Sequence, residues 1–371
     1  MNLTILGGGN IGMCILAEAS RRSDYAVTLV TSHSDQFHDR IWLNDVEKGI
    51  YLRSGIINVS NDVASSVRNA DIVFCTYPSF MRENILDTLT SEMKAGSLLG
   101  FFPGYGGAEY HCQDLLNKGV GLFALQKVPY VARTEKAQEV AGLWSRKSKL
   151  RFATLPAEHA DNVKQILEDI FEIKSVSLSN YLSATLLPGN PLLHTAGSCS
   201  MLRDYNGTPY EEQIFYYRRW DDDCSRLIFR MSDELMAICD KIPMDLSGVE
   251  SIGTYYEAPT PEDLTKKFHS IPSFRDLTLP MKKVEEGFIP DFSSRFFTED
   301  IPFGVCLMKG LAQIVGVDTP AFDEVLEWYR RMTGKCYYFP DGSYGPDAEE
   351  AAIPQRFGIS SVERLLKLYS Y

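Results

Sequence analysis

Asn2-Leu3-Thr4-Ile5-Leu6-Gly7-Gly8-Gly9-Asn10-Ile11-Gly12 opens the chain with an apolar strand that runs straight into a glycine loop. Behind it, Ile11 to Arg21 carries apolar residues at helical spacing. Gly7, Gly9 and Gly12 fit G-x-G-x-x-G between a strand and a helix, and each position has a steric reason. Gly7 allows the tight turn, Gly9 lets the backbone approach a pyrophosphate, and Gly12 lets helix and strand pack closely. The free N–H groups of Asn10, Ile11 and Gly12 and the positive end of the helix would then face the phosphates. The stretch predicts a Rossmann domain that binds a dinucleotide.

Working outward, the first half alternates short apolar runs with helical patterns, the mark of a sheet covered by helices on both faces. Strands are expected at Asn2–Leu6, Ala26–Thr31, Ile56–Val59, Asp71–Thr76, Ser97–Phe102, Gly121–Gln126, Arg151–Leu155 and Lys174–Leu178. Beyond about Asn180 the strand-like runs nearly vanish and long helical patterns take over. Pro209 to Ile242 reads as one long helix or two, and further helices are expected at Pro261–Phe268, Glu299–Val315, Pro320–Thr333 and Ser360–Tyr369. The fold class is therefore an α/β N-terminal Rossmann domain, residues 1–179, plus an all-α C-terminal catalytic domain, residues 180–371.

Composition narrows the partners. The 371 residues are enough for roughly two domains. Lys plus Arg number 37 against 49 for Asp plus Glu, a formal charge of -12, so no nucleic acid and no anionic membrane surface is expected as partner. The eight cysteines form no C-x-x-C pair or zinc-like spacing; they read as reduced thiols of a cytoplasmic protein, and no metal is expected. No signal peptide is expected from the first residues, and the longest apolar helix candidate is too short to span a bilayer. Monomer and homodimer both stay open.

The end of the second strand bears on which nucleotide is bound. An acid is usual there for NAD(H), where it holds the ribose hydroxyls. Here the chain reads Thr31-Ser32-His33, whose hydroxyls and imidazole can take a 2'-phosphate, with Asp35 close enough to bind a ribose hydroxyl. The balance leans toward NADP(H) over NAD(H).

Two segments of the second half carry candidate chemistry. Asn190-Pro191-Leu192-Leu193-His194 is a good helix start, with Asn190 as cap and Pro191 at the first helical position. It puts His194 in the first turn, where the helix N-terminus favours the neutral imidazole. In Ser294-Arg295-Phe296-Phe297-Thr298-Glu299-Asp300-Ile301-Pro302 a cation and two carboxylates stand among apolar neighbours. Thr298 can cap a helix beginning at Glu299. Asp300 can orient His194 while Arg295 grips a carboxylate, or Arg295 can simply pair with Glu299; spacing leaves these two even. The cluster Tyr216 to Asp223 either lines a site or packs one helix face.

The chain resembles the octopine and nopaline (opine) dehydrogenases. The resemblance rests on GGGNIG (7–12 with its preceding strand), the Phe101–Asp114 segment FFPGYGGAEYHCQD, NPLLH at 190–194, PDFSSRFFTEDIPFG at 290–304 and PQRFG at 354–358. It implies a Rossmann domain followed by a helical domain, and the NAD(P)H-dependent condensation of an amino acid α-amine with a 2-keto acid, commonly pyruvate. It also implies that His194 is the general acid/base, Asp300 its partner and Arg295 the anchor of a carboxylate, with Asn190 and Gln126 near the substrate. Gln126 stands about where octopine-forming relatives carry an acid, which points away from arginine and toward a neutral or acidic amino donor. Two other readings are a ketopantoate reductase-like or other 2-keto acid reductase, which would lean on a lysine that neither block contains, and a non-catalytic dinucleotide-binding protein.

Overall fold

The structure is a computed structural model that describes residues 1–187 and 189–370. Cα packing divides the chain into two units, Met1–Thr185 joined by the residues from Leu366 onward, and Leu186–Leu365. This division falls a few residues past the 179/180 boundary read from the sequence, and it returns the end of the chain to the first unit.

In the first unit the main sheet holds the eight expected strands: β1 (Asn2–Leu6), β2 (Ala26–Val30), β5 (Ile57–Ser60), β6 (Ile72–Cys75), β7 (Leu98–Phe101), β8 (Gly121–Leu125), β11 (Leu150–Leu155) and β12 (Ser175–Ser177). Their order is β12-β11-β8-β7-β6-β1-β2-β5. The six strands from β5 to β8 are parallel, while β11 runs antiparallel to β8 and carries β12 parallel to itself. Strands β6, β7 and β8 are buried at every residue, which is why they read as unbroken apolar runs. On one face Ile5, Phe74 and Phe123 pack with α1 (Asn10–Ala19) and α5 (Ala160–Phe171). On the other, Leu6, Val73 and Leu99 pack with Val67 of α2 (Val63–Arg68), Leu86 and Leu89 of α3 (Ser79–Glu92) and Leu115 of α4 (Gln113–Asn117).

A second sheet was not expected. Strands β3 (Trp42–Asp45), β4 (Ile50–Arg53), β9 (Tyr130–Lys136) and β10 (Val140–Arg146) pair in the order β4-β3-β10-β9. It covers the side of α1 that faces away from the main sheet: Leu43, Ala132, Ala141 and Leu143 share the core of Met13, Cys14 and Ala17. Seven of the ten residues of α1 are buried, so a helix between two sheets is apolar nearly all round. Arg146 of β10 ties the layers by pairing with Glu18 of α1 at 2.6 Å and Asp45 of β3 at 2.8 Å. The unit closes with the short α6 (Leu182–Thr185).

The second unit is helical: α7 (Asn190–Met201), α8 (Tyr216–Arg219), α9 (Asp222–Lys241), α10 (Ile252–Tyr256), α11 (Pro261–Ser270), α12 (Arg295–Thr298), α13 (Cys306–Val315) and α14 (Pro320–Thr333), with α15 (Val362–Leu368) running out of it. One hairpin, β13 (Met281–Val284) with β14 (Gly287–Pro290), interrupts them. The expected helix over Pro209–Ile242 is two, split where Asp221 caps α9 by accepting the Cys224 N–H. Leu227, Ile228, Met231, Leu235 and Ile238 form the buried stripe of α9; each large aliphatic so placed contributes about 1.5–3 kcal/mol. Glu234 on this helix caps α14, accepting the N–H groups of Ala321 (2.6 Å) and Phe322 (3.0 Å), which the first turn leaves unpaired.

Candidate active site

In the first unit, strand order reverses between β1 and β6, and the loop that leaves β1 at that point is the glycine loop. Gly7 has φ +109, and a Cβ there would stand 2.7 Å from Thr76 Oγ1 at the end of β6. A Cβ on Gly12 would stand 1.9 Å from the Gly7 carbonyl oxygen, so only glycine lets α1 approach this closely. In front of Gly9, by contrast, a Cβ would meet nothing within 4 Å. The helix starts one residue earlier than the sequence suggests, at Asn10, and Met13 is the first to bond within it, to Gly9 O at 2.9 Å. The preceding N–H groups, of Asn10, Ile11 and Gly12, are those of an uncapped first turn. Open space before Gly9 and a helix end with no side-chain cap fit a dinucleotide pyrophosphate. The side chain of Asn10 points elsewhere, and its Oδ1 accepts the Thr134 N–H of β9 at 2.8 Å, fixing the loop to the second sheet.

Beyond β2, Thr31 is buried and its Oγ1 accepts the His33 N–H at 3.3 Å, while Ser32, His33 and Asp35 are exposed, Asp35 within the turn Ser34–Gln36. Gln126 is buried, and its Nε2 donates to Ser183 O at 3.0 Å. One residue went unnoticed in the sequence. Arg82 is buried on α3 and donates to Tyr77 O, Tyr105 O and Pro103 O at 3.1, 2.7 and 2.8 Å, so that it ties the loop after β6 to the loop after β7. No local pattern marks an arginine whose partners are backbone carbonyls.

In the second unit, α7 and the 294–305 segment bring together residues 106 positions apart. His194 Nδ1 lies 2.7 Å from Asp300 Oδ2, with side-chain exposures of 14% and 4%. Burial pushes the Asp300 carboxyl up from the ordinary carboxylate range, and the His194 contact pulls it back down. With Asp300 ionised the carboxylate can only accept, so the bridging proton of a neutral imidazole would sit on Nδ1 and leave Nε2 as the acceptor. The imidazole lies flat on Phe296, with ring centroids 3.6 Å apart and planes within 8°. Tyr216 meets both rings edge-on, and its hydroxyl reaches Leu193 O and His194 O at 2.9 and 3.0 Å through a slot left by Gly197.

The helix starts differ from expectation. Gly189 is the N-cap of α7 and Asn190 its first residue, so His194 stands at the beginning of the second turn, and Asn190 itself is exposed. Thr298 does not cap a helix. Ser294 caps α12, and Thr298 ends that helix with its hydroxyl donating to Ser294 O at 3.2 Å. Asp300 then heads a π turn over Ile301–Val305, with the Val305 N–H bonded to Asp300 O. Pro302, with no N–H and a ring that crowds the preceding turn, accounts for the widened helix. Arg295 forms the ion pair with Glu299 that spacing had left as one of two options: Nε and Nη2 are each 2.5 Å from Glu299 Oε2, with Glu299 3% and Arg295 61% exposed. A buried carboxylate thus holds one edge of the guanidinium of an exposed side chain. Of the Tyr216–Asp223 cluster, Tyr217 and Trp220 pack in the core and Asp221 caps α9.

The segment 177–333 matches the family model described as "NAD/NADP octopine/nopaline dehydrogenase, alpha-helical domain". Tauropine dehydrogenase of Arabella iricolor is 25% identical over an alignment covering 98% of this chain and 99% of that protein. Two solved structures of octopine dehydrogenase, one with NADH and L-arginine and one with NADH and pyruvate, share the fold at TM-scores of 0.89 and 0.88, with 23% and 22% identity, each covering 100% of this chain and 99% of the other. The segment 177–333 thus matches the helical domain of the octopine/nopaline dehydrogenases, and the chain is similar to opine-forming dehydrogenases along its whole length.

Proposed function

We propose that the protein is an opine dehydrogenase: it condenses the α-amine of an amino acid with a 2-keto acid, pyruvate foremost, and reduces the resulting imine with NAD(P)H. The observation that carries this reading is the buried His194–Asp300 contact at 2.7 Å, on the same short segment as an arginine fixed by Glu299.

The chemistry assigned to these groups follows from their positions. An amino acid arrives as an ammonium ion and cannot attack a carbonyl until it loses a proton. Nε2 of His194 takes that proton, and Asp300 stabilises the imidazolium that forms. The free amine adds to the keto carbon, and the proton returned by His194 leaves with the hydroxyl as water, giving the imine. The bound nicotinamide supplies the hydride that reduces it. One amino acid, one keto acid, NAD(P)H and a proton become one secondary amine dicarboxylate, NAD(P)⁺ and water. Arg295, held on one edge by Glu299, anchors a substrate carboxylate.

The glycine loop with Asn10, Ile11 and Gly12 holds the pyrophosphate. NADP(H) ahead of NAD(H) rests on Ser32 and His33 beyond the end of β2, and the nearby Asp35 is the residue that would serve NAD(H) instead. Gln126 in place of an acid favours a neutral or acidic amino donor over arginine. A reducing compartment, the cytoplasm, suits eight cysteines that are all unpaired and buried. No helix among the described residues is long and apolar enough to cross a membrane.

The test follows NADPH and NADH oxidation with pyruvate and a panel of amino acids, each run with and without the amine. Turnover that requires both substrates is expected. Absence of turnover with every pair, although nucleotide binds, would overturn the reading; reduction of the keto acid alone would mark a simple keto acid reductase.

A further inference from the structure

A single hydrogen bond fixes one point of an imidazole but not its plane. The torsion that turns a histidine ring is broad and roughly two-fold, so a ring anchored only through Nδ1 can still swing its far nitrogen out of line, and a half-turn would put Cδ2 where Nδ1 should be. The Asp300 contact is such a single point: Oδ2 meets Nδ1, and among the described residues Oδ1 has no hydrogen-bond partner. What fixes the plane of His194 lies on its face. Phe296 lies parallel to it at 3.6 Å and 8°, close enough that a marked twist would drive an edge of the imidazole into the phenyl ring. Tyr216 stands edge-on to both rings, at 6.4 Å and 78° from His194 and 5.7 Å and 81° from Phe296. Phe296 itself is only half-buried and belongs to neither end of a packed helix core; it sits between Arg295 and the buried Phe297 on the one-turn helix α12. A large apolar ring left partly exposed has its flat face committed to the imidazole and its other ring contact with Tyr216, which also meets that imidazole.

We propose that Phe296 is a positioning residue for His194: its flat face holds the imidazole in the plane in which Nδ1 meets Asp300 and Nε2 points at the reacting amine. The inference rests on the assignment of His194 as the acid/base. It requires a planar side chain at position 296 and nothing more specific, because the contact is face to face. Phenylalanine and tyrosine satisfy it equally; a branched aliphatic of similar bulk does not.

The test compares Phe296→Leu and Phe296→Tyr in the full-length protein. Phe296→Leu is expected to lower kcat by on the order of tenfold to a hundredfold, the cost of a reacting group that is no longer held in line. KM and nucleotide affinity should stay within about twofold, since leucine leaves the carboxylate anchor and the glycine loop untouched. Phe296→Tyr should restore kcat to within a few-fold. A second readout needs no turnover: in the NMR spectrum of the ring-labelled protein, the His194 Nδ1–H signal, protected by its bond to Asp300, should broaden or vanish in Phe296→Leu and persist in Phe296→Tyr. Wild-type kcat with an unchanged Nδ1–H signal in Phe296→Leu would overturn the proposal, and so would equal impairment of the leucine and tyrosine variants. His194→Ala separates the two levels of the argument. If that variant still turns over, the acid/base assignment falls; if it is inactive while Phe296→Leu is not, only the role of Phe296 falls.

Discussion

Replacing Asp300 by asparagine should separate activity from stability. The carboxylate is 4% exposed and meets His194 Nδ1 at 2.7 Å. When Nε2 takes a proton, the charge on the imidazolium lies about 4 Å from that on the carboxylate; at an effective dielectric near 20 their attraction is about 4 kcal/mol. At about 1.4 kcal/mol per decade, losing it predicts a fall in kcat on the order of a thousandfold, within the range that positioned acid/base groups supply. An asparagine also offers an N–H to Nδ1, which would favour the tautomer with Nε2 protonated and unable to accept. Folding should respond the other way. Burial already pushes the Asp300 carboxyl up, and Oδ1 has no partner among the described residues, so the neutral amide is no worse a tenant than the ion. The assay is steady-state nucleotide oxidation with the best substrate pair, alongside thermal unfolding of both proteins. A loss of about a thousandfold with Tm unchanged or raised is expected. An Asp300→Asn enzyme within about threefold of wild-type kcat would refute the role given to the pair, and a collapse of Tm would show that Asp300 serves the fold instead.

Other substitutions probe the remaining parts. Arg295→Lys keeps the charge but loses the planar fork, and KM for the keto acid should rise about tenfold to a hundredfold, as expected for a charge-assisted contact of about 1.5–3 kcal/mol, with a smaller change in kcat. Gly9→Ala should leave Tm near wild type, since the new methyl meets nothing, yet weaken nucleotide binding on the order of tenfold by titration; Gly12→Ala should instead lower Tm, because its methyl would stand 1.9 Å from a carbonyl oxygen. Glu109 in the first unit is buried and accepts the hydroxyls of Thr185 (2.5 Å) and Tyr369 (2.8 Å), and burial pushes its carboxyl up. The folded state therefore holds that proton longer than the unfolded state, and the contribution to stability is full below the ordinary carboxylate range and declines as pH rises through the folded-state value. Glu109→Gln removes this titration, so the Tm of the variant minus that of wild type should grow as pH rises from the ordinary carboxylate range; a difference that is flat or shrinks would contradict it.

Much of the fold was legible because one constraint dominates each element. The glycine loop admits no residue but glycine at 7 and 12, and β6 to β8 are buried on both faces, so both features appear in the sequence undiluted. The second sheet was missed for the opposite reason. Its strands are partly exposed and irregularly patterned: Tyr130 to Lys136 alternates buried and exposed residues only over its first half before ending in charges, a signal that a loop also gives. In the site, the residue types were readable and their places less so. Spacing suggested Thr298 as a helix cap, and the cap is Ser294, because Pro302 widens the next turn and shifts the helix register around Asp300. The stacking of Phe296 on His194 depends on a tertiary approach that no local pattern encodes.

The central claim, that an amine and a keto acid are joined before hydride arrives, is tested most directly by identifying the product. The protein is incubated with pyruvate, its best amino acid and nicotinamide nucleotide deuterated at the transferable position, and the products are resolved by mass spectrometry. The account predicts a secondary amine dicarboxylate carrying one deuterium on the carbon newly bonded to nitrogen, and no deuterated hydroxy acid. Deuterated lactate as the product, with the amino acid recovered unchanged, would contradict it.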